Sequence, residues 1–208
     1  MIFFPEVVRC EKYAVNQHGN YHGYAHYKDQ IHKDCQYRCV YCDVKLDECG
    51  HEGFALDHFR PQEKFSHLKN DPTNLVAACA KCNRSKSSHW PVDIALGVSY
   101  LGEFGFVDPF EHNRLDFFGV ETNGTLTAKQ DPSTYLIKLL GLNRPSRVVV
   151  RKNRLLQRRV DDLIMLAEKL IDEIIEAGEM TDVSWRNLQS AKAVISSVRQ
   201  LRLEISAV

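Results

Sequence analysis

No stretch of eighteen apolar residues occurs in this chain, which argues against a membrane-spanning helix. The opening residues, MIFFPEVVRC, lack the basic start and long apolar segment of an export signal, so a reducing, cytoplasmic setting is expected. Net charge is missing too. Lys and Arg total 27 and Asp and Glu total 27, so only the distribution of charge can speak for or against a nucleic-acid partner. There is no internal repeat and no low-complexity segment, so neither a solenoid nor a compositionally biased linker is expected. At 208 residues the chain is long enough for one good core, or for a small domain with an appendage.

Cysteine is what the chain does have. Its seven cysteines are an odd number, and four of them form two close pairs, CVYC at residues 39–42 and CAKC at residues 79–82. In a chain without an export signal, such pairs fit metal ligation better than a disulfide framework. Four thiolates from Cys39, Cys42, Cys79 and Cys82 suit a tetrahedral Zn²⁺, and a closed four-sulfur shell leaves no position for water or substrate. The zinc is therefore expected to be structural. Cys10, Cys35 and Cys49 have no partner at ligand spacing and read as ordinary thiols.

The pattern around the pairs predicts a short helix over Tyr24 to Lys33 and a strand in GFALDHF. A polar loop with Pro61 and Pro72 as breakers follows, and then NLVAACAKCNRSKSS as a second strand leading into a helix of about two turns. This ββα unit holds too few apolar residues to fold on its own core. Further on, DFFGVETNGTLTAK predicts a β-hairpin turning at Asn123-Gly124. DPSTYLIKLLGL predicts a helix with Asp131 as N-cap, Pro132 at its first position and Gly141 near its end. Two long amphipathic helices close the chain. Leu156, Val160, Leu163, Ala167, Leu170 and Ile174 mark the first, stopped by Gly178, and Val194, Val198, Leu201 and Ile205 mark the second. The expected class is α+β, with residues 1–95 holding the ββα unit and residues 96–208 a hairpin and helical region ending in an antiparallel helical hairpin.

Between the cysteine pairs the order is Leu-Asp-His, Pro, Asn-Leu-Val, and then Cys-x-x-Cys-Asn with a lysine after it. Over roughly Cys39 to Ser88 this resembles the HNH endonuclease family, whose ββα-metal site is often stapled by a four-cysteine zinc. The resemblance implies a metal-dependent endonuclease acting on DNA. His58 would be the general base, since an imidazole is suited to take a proton from water near neutral pH. Asp57 and Asn83 would supply hard oxygen ligands for a catalytic Mg²⁺ or Mn²⁺. Asn74 would bridge the loop and fix the His58 ring. Many family members carry a second histidine where this chain has Asn83, which should make the site more dependent on an oxygen-loving ion. Without the surrounding pattern, an Asp-His pair is more often a surface hydrogen-bonded pair, and Asn74 could be a simple turn residue. Arg84 and Lys86, close to Asn83, are expected to meet phosphates. His18, His22 and His26 recur every four residues, but their Gly- and Tyr-rich stretch does not favour a metal-binding face.

Arg144, Arg147, Arg151, Arg154 and Arg158 recur at three, four, three and four residues, stacking along one stripe of a helix. No acidic residue lies between Asp131 and Asp161, so nucleic-acid backbone contact is expected there, with docking of an acidic partner or plain solvated surface as the other readings. More loosely, the YKDQI helix, LDHFRP, and LLGLN before an Arg-rich helix are similar to the nuclease subunits of Septu-type anti-phage defence systems. That resemblance implies an ATPase partner encoded alongside. An RNA-cleaving enzyme of the same chemistry, and a zinc-stabilised binding module with a vestigial site, are the rival readings.

Overall fold

The computed structural model describes residues 3–177 and 180–206, with side chains through residue 203. Contacts group them into two units. One runs through Glu121 and resumes over Thr125–Val148; the other comprises Thr122–Gly124 and the chain from Val149 onward.

The first unit is organised around one antiparallel ladder. Strand β1 (Phe54–His58) pairs with β2 (Leu75–Cys79), with His58 opposite Leu75, Asp57 opposite Val76 and Phe54 opposite Cys79. Every residue of β2 is buried, as a strand covered on both faces requires. On β1 only Asp57 is buried, and its neighbour His58 remains half-buried, because successive side chains leave a strand on opposite faces. Helix α2 (Ala80–Lys86) follows β2 without a break, which carries the second cysteine pair from strand end to helix start. The expected ββα order is therefore present. On the other side of β2, a 3₁₀ turn (Tyr24–Tyr27) runs into helix α1 (Lys28–Asp34), whose Ile31 is fully buried. Asp34 at its end accepts hydrogen bonds from the Tyr13 hydroxyl at 2.5 Å and the Gln30 amide at 2.7 Å.

The segment beyond residue 95 supplies what the ββα unit lacks. A two-residue hairpin, β3 (Tyr100–Leu101) with β4 (Phe104–Gly105), was not foreseen. It requires Gly105, at φ +129°, because a Cβ there would lie 2.3 Å from the Tyr100 backbone. Phe106, fully buried, stacks on Trp90 with centroids 5.9 Å apart. A short helix α3 (Arg114–Phe117) leads into the expected hairpin, β5 (Phe118–Val120) with β6 (Leu126–Ala128). Arg114 is buried, stacks on Phe4, and donates to the Val40 carbonyl at 3.0 Å and the Pro5 carbonyl at 2.6 Å. It thereby ties the chain start to the first cysteine pair. Helix α4 begins one residue later than expected (Ser133–Leu139), with Pro132 rather than Asp131 at the cap. Gly141 follows its end at φ +55°, the left-handed conformation that stops a helix.

Helices α5 (Pro145–Glu176) and α6 (Asp182–Ser206) are the long elements, and 149–176 of α5 together with α6 make up nearly all of the second unit. Val160 packs against Val198 and Leu201, with Leu156, Leu163 and Ile164 around them. The Asn187 amide donates to Glu173 at 3.1 Å near the other end, which fixes the pair as antiparallel. Ala167 is buried, while Leu170, Ile174 and Val194 are half-buried. Gly178 and the Ile205 side chain lie outside the described residues. In this unit Arg151, only 1% exposed, donates to the Gly124 carbonyl at 2.6 Å. Among the described residues, no helix is long and apolar enough to cross a membrane.

Candidate functional site

The β1–β2 ladder and α2 bring the two cysteine pairs together. The sulfurs of Cys39, Cys42, Cys79 and Cys82 all lie within 4.8 Å of one another and all four residues are buried. Cys42 Sγ and Cys79 Sγ are 3.7 Å apart. A tetrahedron with Zn–S bonds of about 2.3 Å has edges of about 3.8 Å, so the donor set fits zinc by geometry as well as by chemistry.

Four thiolates around Zn²⁺ carry a surplus of two negative charges, and two guanidiniums lie against them. Arg144 Nη2 is 3.4 Å from Cys79 Sγ, 3.7 Å from Cys82 Sγ and 3.8 Å from Cys42 Sγ. Arg147 Nη2 is 3.6 Å from Cys79 Sγ and also pairs with Glu52. Burial works against both arginine charges. The thiolates of Cys82 and Cys42 beside Arg144, and of Cys42 and Cys79 beside Arg147, more than offset it and raise both above the usual arginine range. The arginine stripe is thus not one solvated surface. Arg147 is 2% exposed and serves the cysteine cluster, and Arg151 is closed onto Gly124, which removes both from contact with phosphates. Arg154 is half-buried, and only Arg158 is fully on the surface, 3.9 Å from Asp162. Spacing on a helix shows which residues share a face, but not what covers that face.

The second group lies at the end of β1. Asp57, His58 and Asn83 line one open cleft of about 260 Å³, with Tyr24, Glu63 and Ser87 among its other walls. His58 Nε2 is 2.8 Å from the carbonyl oxygen of Lys69, and a carbonyl only accepts. Nε2 therefore carries the proton, and the Nδ1 lone pair is left to act as a base. The Tyr24 ring meets the imidazole edge-on at 5.0 Å. Asn74 acts on the loop and not on the ring. Its Oδ1 accepts from the Arg60 N–H at 2.9 Å, and its Nδ2 donates to the Arg60 carbonyl at 3.0 Å and the Leu68 carbonyl at 3.5 Å. It closes the loop whose next residue, Lys69, holds His58, so the direct hold expected from the sequence is replaced by an indirect one.

Both oxygens of Asp57 have partners. Tyr41 donates its hydroxyl proton to Oδ2 at 2.5 Å, and Lys86 Nζ donates to Oδ1 at 3.2 Å and to the His58 carbonyl at 2.8 Å. Burial pushes the Asp57 carboxyl above its ordinary range, against the pull of the Lys86 ammonium. Burial likewise lowers Lys86, against the pull of Asp57. Lys86 has no exposed surface, so it is the counter-charge of Asp57 and not a surface contact for phosphate. Asn83, three residues earlier, shares its helix face. Arg84 points elsewhere and is exposed. A carboxylate and an amide oxygen in one cleft form a donor set that fits a hard divalent ion such as Mg²⁺ or Mn²⁺. The histidines near the chain start do not add a site. His22 and His26 stack with centroids 4.1 Å apart, and among the described residues the four cysteines are the one cluster of three or more such side chains able to hold a metal. Tyr41 and the roles of Lys69, Arg144 and Arg147 were missed in the sequence, where the only signal was an aromatic residue inside a cysteine knuckle.

Comparisons with known proteins agree with this geometry. Over 52 residues the chain is 35% identical to Septu protein PtuB of Bacillus thuringiensis, covering 25% of this chain and 20% of that protein. It is also 28% identical over 69 residues to Septu protein PtuA of Bacillus mycoides (strain KBAB4), covering 27% of this chain and 9% of that protein. The matches thus span a fifth or less of either relative's length. Residues 39–89 match the family model described as HNH endonuclease, and these residues contain both cysteine pairs, the β1–β2 ladder and all of α2. The chain carries an HNH endonuclease domain over residues 39–89.

Proposed function

We propose that this chain is a metal-dependent endonuclease that hydrolyses DNA phosphodiester bonds, working in the cytoplasm as the nuclease component of a bacterial anti-phage defence system. The observation that carries the reading is the state of His58. Its Nε2 proton is committed to the Lys69 carbonyl, while Nδ1 remains available beside Asp57 and Asn83 in the same cleft. Nδ1 would take the proton from the attacking water, and the Lys69 carbonyl would stabilise the imidazolium that results. Asp57 and Asn83 would hold the divalent cation, which when bound neutralises charge on the phosphate and on the departing oxygen. The thiolates of Cys39, Cys42, Cys79 and Cys82 would hold a structural zinc away from the chemistry. Arg84, exposed on α2, would meet the nucleic-acid backbone, and Arg154 and Arg158 on α5 are further candidates for such contacts. The likeness to two Septu proteins supports the defence setting and a partner in it, which we take to be an ATPase encoded alongside.

The test is incubation of the purified chain with plasmid DNA and with structured RNA, each in Mg²⁺, in Mn²⁺ and in EDTA. Cleavage of the plasmid that needs the divalent ion supports the proposal. Cleavage of RNA alone would redirect it to the other polymer, and no cleavage of either would leave a binding module.

A further inference from the structure

Tyr41 lies inside the first cysteine knuckle, between Cys39 and Cys42, yet its side chain does not serve the sulfurs. The ring is 6% exposed and packs edge-on against Phe106, with centroids 6.4 Å apart. Its hydroxyl is aimed at Asp57, sixteen residues away on β1, and the 2.5 Å contact is to Oδ2 alone. Lys86 takes the other oxygen, so the carboxylate is gripped from two sides and cannot rotate about its own axis. The two grips differ in kind. Lys86 belongs to α2, which also carries Asn83, whereas Tyr41 belongs to a backbone turn closed by the Asp43 N–H to the Cys39 carbonyl at 2.9 Å and flanked by two of the clustered cysteines. The turn is also tied to β2 and to the distal segment, through the Val40 N–H to the Ala77 carbonyl at 3.0 Å and the Val40 carbonyl to Arg114 at 3.0 Å.

We infer that Tyr41 is a positioning residue for the catalytic cation: it transmits the geometry of the four-cysteine site to Asp57, orienting the carboxylate so that it can take up the ion. The inference rests on the proposed nuclease reading, and it adds a direct mechanical link between two metal sites that otherwise share no ligand. Partners that orient a metal-binding carboxylate typically contribute about 10–100-fold in metal affinity. Removing the hydroxyl should therefore weaken Mn²⁺ binding by that order and leave zinc in place.

The experiment is a Mn²⁺ titration followed by electron paramagnetic resonance, with zinc content measured on the same samples, for wild type and Tyr41→Phe. The expected result is about one zinc per chain in both proteins, Mn²⁺ dissociation raised about 10–100-fold in the variant, and cleavage largely regained at saturating Mn²⁺. Mn²⁺ affinity within about two-fold of wild type, with zinc retained, overturns the inference. If Tyr41→Phe does not fold, Phe106→Leu keeps the hydroxyl but loosens the ring from behind. It should weaken Mn²⁺ binding in the same direction, and an unchanged affinity there overturns the inference equally. A wild-type chain that binds Mn²⁺ but cuts no nucleic acid would sink the nuclease reading and leave the Tyr41 link standing. A wild-type chain that binds no Mn²⁺ sinks both.

Discussion

His58 and Lys69 are joined by one hydrogen bond of 2.8 Å across eleven residues of loop, and that bond decides which imidazole nitrogen is basic. Replacing His58 by Ala removes the proposed base without touching the ladder, whose bonds are between backbone groups. Fold and zinc content should survive, and cleavage should fall by about 10²–10⁴-fold, the usual worth of a general base. Single-turnover cleavage at saturating Mn²⁺ is the measurement. A His58→Ala protein as fast as wild type would move the active site elsewhere.

Cys79→Ser removes a sulfur that both Arg144 and Arg147 touch. If the small ββα unit relies on zinc for its stability, as proposed, the variant should hold less than one zinc per chain and be poorly soluble. Metal analysis and thermal denaturation decide it. Native stability with no bound zinc would end the structural-metal claim.

Arg147→Met keeps an unbranched apolar stem and deletes the guanidinium with its charge. The buried cysteine cluster would lose a counter-charge, and the chain should lose roughly 3 kcal/mol of stability, the lower end of what uncovering a buried charge costs, with little added by the exposed Glu52. Urea unfolding of the zinc-loaded protein measures this. A loss under about 0.5 kcal/mol would mean that Arg144 alone balances the cluster.

Burial pushes the Cys35 thiol up to about 11 from an ordinary value of 9.0. Its folded value lies above its unfolded one, so its contribution to stability is whole below about pH 9 and is lost as pH rises towards 11. Wild type should therefore lose about 2–3 kcal/mol across that window relative to Cys35→Ala. At pH 8, iodoacetamide should modify Cys10 well before Cys35, which mass spectrometry of digested protein would read.

Arg84→Gln should weaken DNA binding for every sequence alike and reduce the slope of log affinity against log salt by about 0.9, the worth of one phosphate contact on duplex DNA. Equal slopes for variant and wild type would make Arg84 ordinary surface.

The ββα order could be read from the chain because its signals are local. The cysteine pairs, the Leu-Asp-His strand end and the loop prolines each act within a few residues, and the structure has these elements in the expected order. The long helices were legible for the same reason. Lys86 and Arg147 were not. Each reads as a solvated helix charge until its partner is known, and those partners lie 29 and 95 residues away, at Asp57 and Glu52. Whether a charge is buried depends on the tertiary fold, and a helical repeat of arginines is the same string in either case. Asn74 fell between the two cases. Its place in the loop was legible, but the atoms it holds are backbone groups of Arg60 and Leu68, which leave no mark on residue type.

The cysteine cluster and the arginines that cover it come from three separated stretches, and synthesis delivers them in order. Both cysteine pairs have emerged by Cys82, while Arg144 follows 62 residues later. At about 5–20 residues per second, a growing chain spends roughly 3–12 s with all four thiols made and their counter-charges not yet synthesised. During that interval the sulfurs lack the arginines that cover them in the finished fold, and they are open to oxidation or to the wrong metal. Early zinc capture would protect them, so the yield of active protein should depend on zinc supply during translation more than on zinc added afterwards.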